Sequence, residues 1–292
     1  LTPHYSSNND NNIIIGFESN DNTLIDISSC RIATNTINDQ YSKLRQQLKN
    51  EKESTRTTLL LRDSIQIDTT REEDTNTKTT NVVITDPNEY VTNRIMNNTL
   101  LFRFRANNFF QTNPYVLDLM ISTVIDAATS KNINMTHFID CYCGSGLFAI
   151  SMAASVKKLQ HCVGIEINDD AIQEAKYNAK LNSLPEIQFM AASAQAIFQS
   201  NGEVDDITTF PRETTVVMID PPRKGCSVEF IQQLLQYQPQ RIVYMSCNVI
   251  TQARDARLIV SDNMYKITSI QPFDLFPQTR HIECLMVFDK II

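Results

Sequence analysis

The chain has 292 residues, 42% hydrophobic and 20% charged, a balance that fits a soluble globular protein of one large domain or two modest ones. No apolar run reaches the ~18 residues a membrane span needs, which excludes a membrane-spanning protein. The net charge of −7 speaks against a wholly cationic nucleic-acid binder, but residues 1–93 carry −5 of it and 94–292 only −2. A local RNA-binding patch is compatible with that split.

Seven cysteines are scattered without zinc-ligand spacing, and an odd number cannot all pair. A reducing, intracellular compartment is expected, with cytosol, nucleus and mitochondrion all open. Residue 1 is Leu and no signal-peptide pattern follows, as in a segment of a longer protein.

In chain order, the first 93 residues read as a small α+β unit. Strand-like pieces cover Ile13–Phe17, Leu24–Ile27 and Thr57–Leu61, with a helix-like piece over Asp39–Leu48. Two stretches read as linker or insertion: Ser6–Asn12, rich in Asn, Asp and Ser, and Asp68–Asn81, polar without an apolar period. Disorder is expected over 68–81. From Arg94 the texture changes. A half-buried strand is expected over Leu100–Arg105 and a helix over Pro114–Ala128, with Pro114 at its first position. Strand-like and helix-like runs then alternate through Phe138–Cys141, Leu147–Ala154, Cys162–Glu166, Asp170–Leu181, Ile187–Ala191, Thr215–Asp220, Val228–Tyr237, Arg241–Ser246 and Val249–Val260. Two strands, Tyr265–Phe273 and Ile282–Phe288, close the chain. Such alternation predicts an α/β domain over 94–292, with a mostly parallel sheet and ligands at the carboxyl ends of its strands.

Phe138-Ile-Asp-Cys-Tyr-Cys-Gly-Ser-Gly-Leu-Phe148 is a strand, a Gly-x-Gly turn and a helix start, where the backbone can approach a ligand closely. Twenty residues after Gly146 comes Glu166, placed to accept both hydroxyls of a ribose. Position 149 is Ala, so the dinucleotide pattern is incomplete. The turn suits S-adenosylmethionine, which has no pyrophosphate to cradle.

Asp220-Pro-Pro-Arg223 follows a strand, and Arg223 stands where amino-group methyltransferases carry a base-stacking aromatic, which disfavours amine methylation. Cys247 ends a strand between polar Ser246 and Asn248, an unusual place for a thiol, since a free cysteine is ordinarily a small buried hydrophobe. Glu283 sits in an apolar strand, where a carboxylate must be paired or functional. His281 could orient Glu283, contact RNA or simply pack. Phe102-Arg-Phe-Arg-Ala-Asn-Asn-Phe-Phe-Gln-Thr-Asn113 mixes arginines with aromatics, either an RNA-gripping strand or an edge strand with a solvated basic face.

Phe-Phe-Gln-Thr-Asn, Asp-Cys-Tyr-Cys-Gly-Ser-Gly, Gly-Ile-Glu, Asp-Pro-Pro-Arg-Lys-Gly, Met-Ser-Cys-Asn and Thr-Arg-His-Ile-Glu-Cys together resemble the RNA (uracil-5-)-methyltransferase family. They stand in that family's order over residues 94–292. Leu1-Thr-Pro-His-Tyr, Gly16-Phe and Ile25-Asp-Ile-Ser-Ser-Cys30-Arg-Ile resemble the central domain of its eukaryotic tRNA (uracil-54-C5)-methyltransferases.

The resemblance implies a Rossmann-like domain with a seven-stranded sheet and helices on both faces, preceded by the small α+β domain. It implies methylation of uridine C5 in RNA from S-adenosylmethionine, at position 54 of the tRNA T-loop. A ribosomal RNA target and a non-catalytic RNA-binding or tRNA-folding protein stay open beside it. Gln111, Tyr142, Glu166 and Asp220 match the family's cofactor-binding positions, Cys247 its nucleophile and Glu283 its proton-abstracting base. Leu147 stands where bacterial tRNA relatives have Asn. Some ribosomal relatives hold an iron–sulfur cluster with four cysteines, of which only Cys30 has a counterpart, so neither a cluster nor another metal is expected.

Overall fold

The computed structural model describes residues 1–7, 13–19, 21–51, 57–67, 79–111, 113–130, 133–193 and 207–291. They fall into two compact units. The first holds Leu1–Arg94 and takes back Arg103–Phe109, and the second holds Ile95–Phe102 and the chain from Phe110 onward.

In the first unit, β1 (His4–Ser7), β2 (Ile13–Glu18), β3 (Leu24–Asp26) and β4 (Thr57–Thr58) form an antiparallel sheet in the order β3-β2-β1-β4. Helix α1 (Asn35–Glu51) packs Ile37 and Tyr41 with Tyr5, Ile15 and Leu61. The fully buried Tyr41 donates its hydroxyl to the carbonyl of Ile15 at 2.9 Å. Arg45, one turn on, pairs with Asp26 at 2.9 Å. Strands β5 (Arg62–Ile67) and β6 (Thr79–Ile84) pair antiparallel. A hairpin of β7 (Tyr90–Ile95) and β8 (Leu100–Arg105) leads into the second unit.

Two expectations change here. Ser6 and Ser7 were assigned to a linker, yet they pair with Ile14 and Ile13 in β1. Thr79–Asn81 were assigned to the polar insertion, yet they pair with Ile67, Gln66 and Ile65 in β6. In both places backbone pairing forms the strand where apolar side chains give no signal. The rest of these stretches, 8–12 and 68–78, lies outside the described residues.

The second unit alternates as the sequence suggests: α2 (Pro114–Thr129), β9 (His137–Cys141), α3 (Leu147–Ser155), β10 (His161–Glu166), α4 (Asp169–Leu181), β11 (Gln188–Ala191), β12 (Thr215–Ile219), α5 (Val228–Tyr237), β13 (Arg241–Ser246), α6 (Val249–Ile259), β14 (Tyr265–Phe273) and β15 (Glu283–Lys290). Its seven strands lie in the order β11-β10-β9-β12-β13-β15-β14. The first five are mutually parallel, and β15 runs against both its neighbours.

All residues of β9, β12 and β13 are buried, so both faces of the sheet are covered. On one face Ile139, Ile219 and Tyr244 pack with Phe230 and Leu234 of α5 and Ile259 of α6. Elsewhere α2 packs against β13, and α3 against β9 and β10. Each such aliphatic or aromatic side chain contributes about 1.5–3 kcal/mol on burial. Asn113, Asn168, Ser227 and Asn248 cap α2, α4, α5 and α6 with side-chain oxygens, each cap worth about 1 kcal/mol. No described helix is long and apolar enough to cross a membrane.

Candidate active site

The chain leaves β9 toward β10 and β11 on one side, then returns to build β12 and β13 on the other. The reversal opens a crevice at the carboxyl ends of β9 and β12, where ligands of open α/β sheets gather. Tyr142 follows the end of β9, Glu166 ends β10, Asp220 follows β12 and Cys247 follows β13. Because β15 runs the opposite way, its first residue, Glu283, arrives at the same rim. Gln111 lies before α2, and the cap of that helix, Asn113, donates to the carbonyl of Leu275 at 3.0 Å.

Two buried polar groups, Gln111 before α2 and Asp140 in β9, each leave an oxygen without a partner among the described residues. Gln111 is buried and its Oε1 accepts no hydrogen bond among the described residues. The same holds for Oδ1 of the fully buried Asp140, whose Oδ2 accepts from the Ala149 amide at 2.9 Å. Burial, with the nearby Glu166 charge, pushes the Asp140 carboxyl up to about 8. Leaving a buried acceptor unpaired costs about 1–3 kcal/mol, so either oxygen would gain from a ligand's hydrogen-bond donor.

Glu166 accepts from the amides of Ile167 and Asn168 at 2.8 and 3.0 Å and from Gly144 at 3.3 Å, which fixes its carboxylate over the turn. Gly144 has φ +53°, and a methyl group added there would meet no atom within 4 Å. Tyr142 holds φ +64°, a strained value for a non-glycine residue of the sort found at functional sites. Its ring packs edge-on against Phe230, with centroids 5.7 Å apart. Open space above a glycine, unpaired acceptors and a braced carboxylate fit a nucleoside cofactor.

The β12–β13–β15 side is where thiol and carboxylates meet. Ser246 pairs with Cys284 across the antiparallel ladder, so Cys247 and Glu283 stand one step further along the two strands. The backbone around Cys247 is held on both sides. Ser246 Oγ accepts from the Asn248 amide at 3.1 Å, and Asn248 caps α6. Glu283 is buried, at 3% exposure, and desolvation lifts its carboxyl to about 7, against an opposing pull from Arg223. Desolvation also raises the half-buried Cys247 thiol. Glu283 and Asp220 add to the rise and Arg223 opposes it. Burial raises Asp220 well above the usual carboxylate range, reinforced by Glu283 and Asp140. Arg223 is thus a cation felt by both Cys247 and Glu283.

The structure therefore gathers Cys247, Glu283 and Asp220 on one side of the rim and Tyr142 and Glu166 on the other. His281 packs edge-on against Phe276, with centroids 6.4 Å apart. Asp140 escaped the sequence reading, and Arg223 entered it only as the residue standing in place of a base-stacking aromatic. A carboxylate in the apolar run of Phe138, Ile139 and Cys141 was the available signal for Asp140, the same signal that pointed to Glu283. Among the described residues no group of three His, Cys, Asp or Glu side chains could hold a metal ion.

A seven-stranded sheet in this order, with one reversed strand and a Gly-x-Gly turn after β9, defines a Rossmann-like S-adenosylmethionine-dependent methyltransferase fold. The Pyrococcus abyssi tRNA (uracil-54, C5)-methyltransferase, solved in complex with S-adenosyl-L-homocysteine, shares it with a TM-score of 0.71 at 22% identity, over 98% of this chain and 75% of that one. The family model described as tRNA (Uracil-5-)-methyltransferase matches residues 75–291, and the chain belongs to that family. A tRNA (uracil(54)-C(5))-methyltransferase of Schizosaccharomyces pombe is 37% identical across the whole chain and 54% of its own length. One from Saccharomyces cerevisiae is 33% identical over 92% of the chain and 46% of its own length. The chain spans about half the length of these relatives.

Proposed function

We propose that the chain catalyses S-adenosylmethionine-dependent methylation of uridine C5 in RNA, at U54 of the tRNA T-loop, inside the cell and with residues 94–292 as its catalytic domain. The observation that carries this reading is the meeting of Cys247 with the buried Glu283 across the β13–β15 ladder.

Uracil C5 is too poor in electrons to take a methyl group unaided. The Cys247 thiolate adds to C6, and the C5=C6 pair moves toward O4, leaving C5 nucleophilic. Bound S-adenosylmethionine supplies the methyl group that C5 accepts. Glu283, poised near neutrality by its burial, then removes the C5 proton. The released pair re-forms C5=C6 and expels Cys247 as thiolate. Burial raises the Asp220 carboxyl, which weakens the negative charge it sets against that thiolate. Gln111, Tyr142, Glu166 and Asp220 are assigned to the cofactor, with Glu166 on the ribose hydroxyls. Unstacking the target costs a few kcal/mol, less for a loop uridine than for a paired one.

The test incubates the chain with methyl-labelled cofactor and unmodified tRNA or ribosomal RNA, each also with its target U changed to C. Label in wild-type tRNA but not in the U54→C transcript is the expected result. Label in ribosomal RNA alone would reassign the substrate. Improved tRNA folding without label would show a binding protein rather than an enzyme.

A further inference from the structure

Helix α6 begins two residues after Cys247, and its cap Asn248 and the side chains of its first two turns hold the loop that follows Asp220. The carbonyl of Arg223 accepts from Asn248 Nδ2 at 3.0 Å and from Thr251 Oγ1 at 3.1 Å. Arg254 Nη2 donates to the carbonyls of Lys224 and Cys226, both at 3.0 Å. The Cys226 amide donates to Asp255 Oδ2 at 2.8 Å, and the same oxygen accepts from the Tyr244 hydroxyl at 2.7 Å. Arg254 closes the knot by donating Nε and Nη2 to Asp255 Oδ1, at 2.8 and 2.7 Å.

The loop is fitted to this grip. Gly225 holds φ +76°, and a methyl group there would come within 2.6 Å of both Arg254 Nη2 and Asp255 Oδ2. Asp255 is fully buried with both oxygens satisfied, whereas the Arg254 side chain is 52% exposed. Water screens the guanidinium end of the pair, while the buried Asp255 is held as well by the Cys226 amide and the Tyr244 hydroxyl. The geometry of the pair is specific, because one guanidinium serves two carbonyls and a carboxylate in a fixed fork. The chemistry proposed above uses none of these groups.

We infer that Arg254 and Asp255 are positioning residues: by clamping the backbone of Lys224–Cys226 to the helix that follows the nucleophile, they set where the Arg223 side chain stands relative to Cys247 and Glu283. The inference rests on the reading of Cys247 as the nucleophile. The charged groups facing Cys247 are Glu283 from β15 and Asp220 and Arg223 from the loop after β12. Burial opposes ionisation most, the two carboxyls add to it and the one cation favours ionisation, so the placement of that cation shifts the thiolate fraction. Arg223 is exposed, so a slack loop lets its guanidinium drift away from Cys247, and the thiol ionises at higher pH.

The experiment follows iodoacetamide alkylation of Cys247 by peptide mass spectrometry, from about pH 6.5 to 9.5 and without RNA. Cys30, the other partly exposed cysteine, serves as the internal control. Arg254→Lys keeps the charge and loses the fork. Arg254→Ala loses both, and Gly225→Ala forces the contact open from the loop side. All three should slow Cys247 alkylation at pH 8 by about threefold to tenfold and leave Cys30 unchanged. With tRNA, the rate of covalent adduct formation should fall by a similar factor and the KM for the methyl donor should not move. Arg254→Lys alkylating like wild type would overturn the inference, whether or not Arg254→Ala is slowed, because charge alone would then account for the effect. Wild-type protein that methylates no RNA would instead overturn the proposed function and leave the alkylation result standing.

Discussion

At the scale of single residues, the account turns on two groups pushed in the same direction by the same cause. Desolvation lifts both the Cys247 thiol and the Glu283 carboxyl, yet in the proposed chemistry each must be ionised to act. The sign follows directly. As pH falls through about 7, Glu283 gains the proton that disables it as a base. Turnover with tRNA should therefore drop about tenfold per pH unit on the acid side of neutrality. A rate independent of pH between about 5.5 and 7 would refute this assignment. Glu283→Gln separates the steps. Removing the carboxylate lowers the Cys247 pKa, so adduct formation persists toward lower pH, while the C5 proton cannot leave and methylated adduct accumulates. Arg223→Ala acts oppositely on the thiol and should slow adduct formation at pH 7.5 by about threefold to tenfold.

At the scale of elements, the rim is held by struts behind it. Gln252 of α6 is fully buried, and its Nε2 donates to the carbonyls of Tyr244 and Cys284 at 3.0 and 2.9 Å. It thus ties β13 to β15 close to Cys247 and Glu283. Gln252→Leu leaves both carbonyls without this donor and should cost about 1–3 kcal/mol, read as a lowered denaturation midpoint at unchanged slope. The parallel strands were legible because each is an apolar run bounded by turn residues, and β12 and β13 are buried along their whole length. Strands β5, β6 and β7 were not. Arg62-Asp-Ser-Ile-Gln-Ile67 and Thr79-Thr-Asn-Val-Val-Ile84 form through mutual pairing rather than burial, and a sequence shows burial far better than pairing. The site divides the same way. A thiol after an apolar strand and a carboxylate inside one betray Cys247 and Glu283. Arg254-Asp255 reads as an ordinary charged step on a helix until the fold brings the 223–226 loop beneath it.

At the scale of the whole molecule, the chemistry asks for buried carboxyls and the fold bears the strain. Asp140 and Glu283 titrate near 8 and near 7 when folded, against ordinary values of 3.8 and 4.5. A carboxyl raised by folding favours the native state most below its unfolded pKa, and that contribution is lost as pH rises through the folded value. The ligand-free chain should therefore lose stability between about pH 4.5 and 8. Asp140→Asn can still accept from the Ala149 amide and has no proton to lose. It should raise stability by a margin that widens over that range, reaching about 1–3 kcal/mol at pH 8 and read as a higher melting temperature. A constant margin would mean that the Asp140 proton plays no part. The account as a whole meets its most direct test in one sample: Glu283→Gln incubated with unmodified tRNA and methyl-labelled cofactor, then digested and sequenced by mass spectrometry. The expected product is a labelled 5-methyluridine joined through C6 to the sulfur of Cys247. A labelled, freely released tRNA, or an adduct on any other side chain, would contradict it.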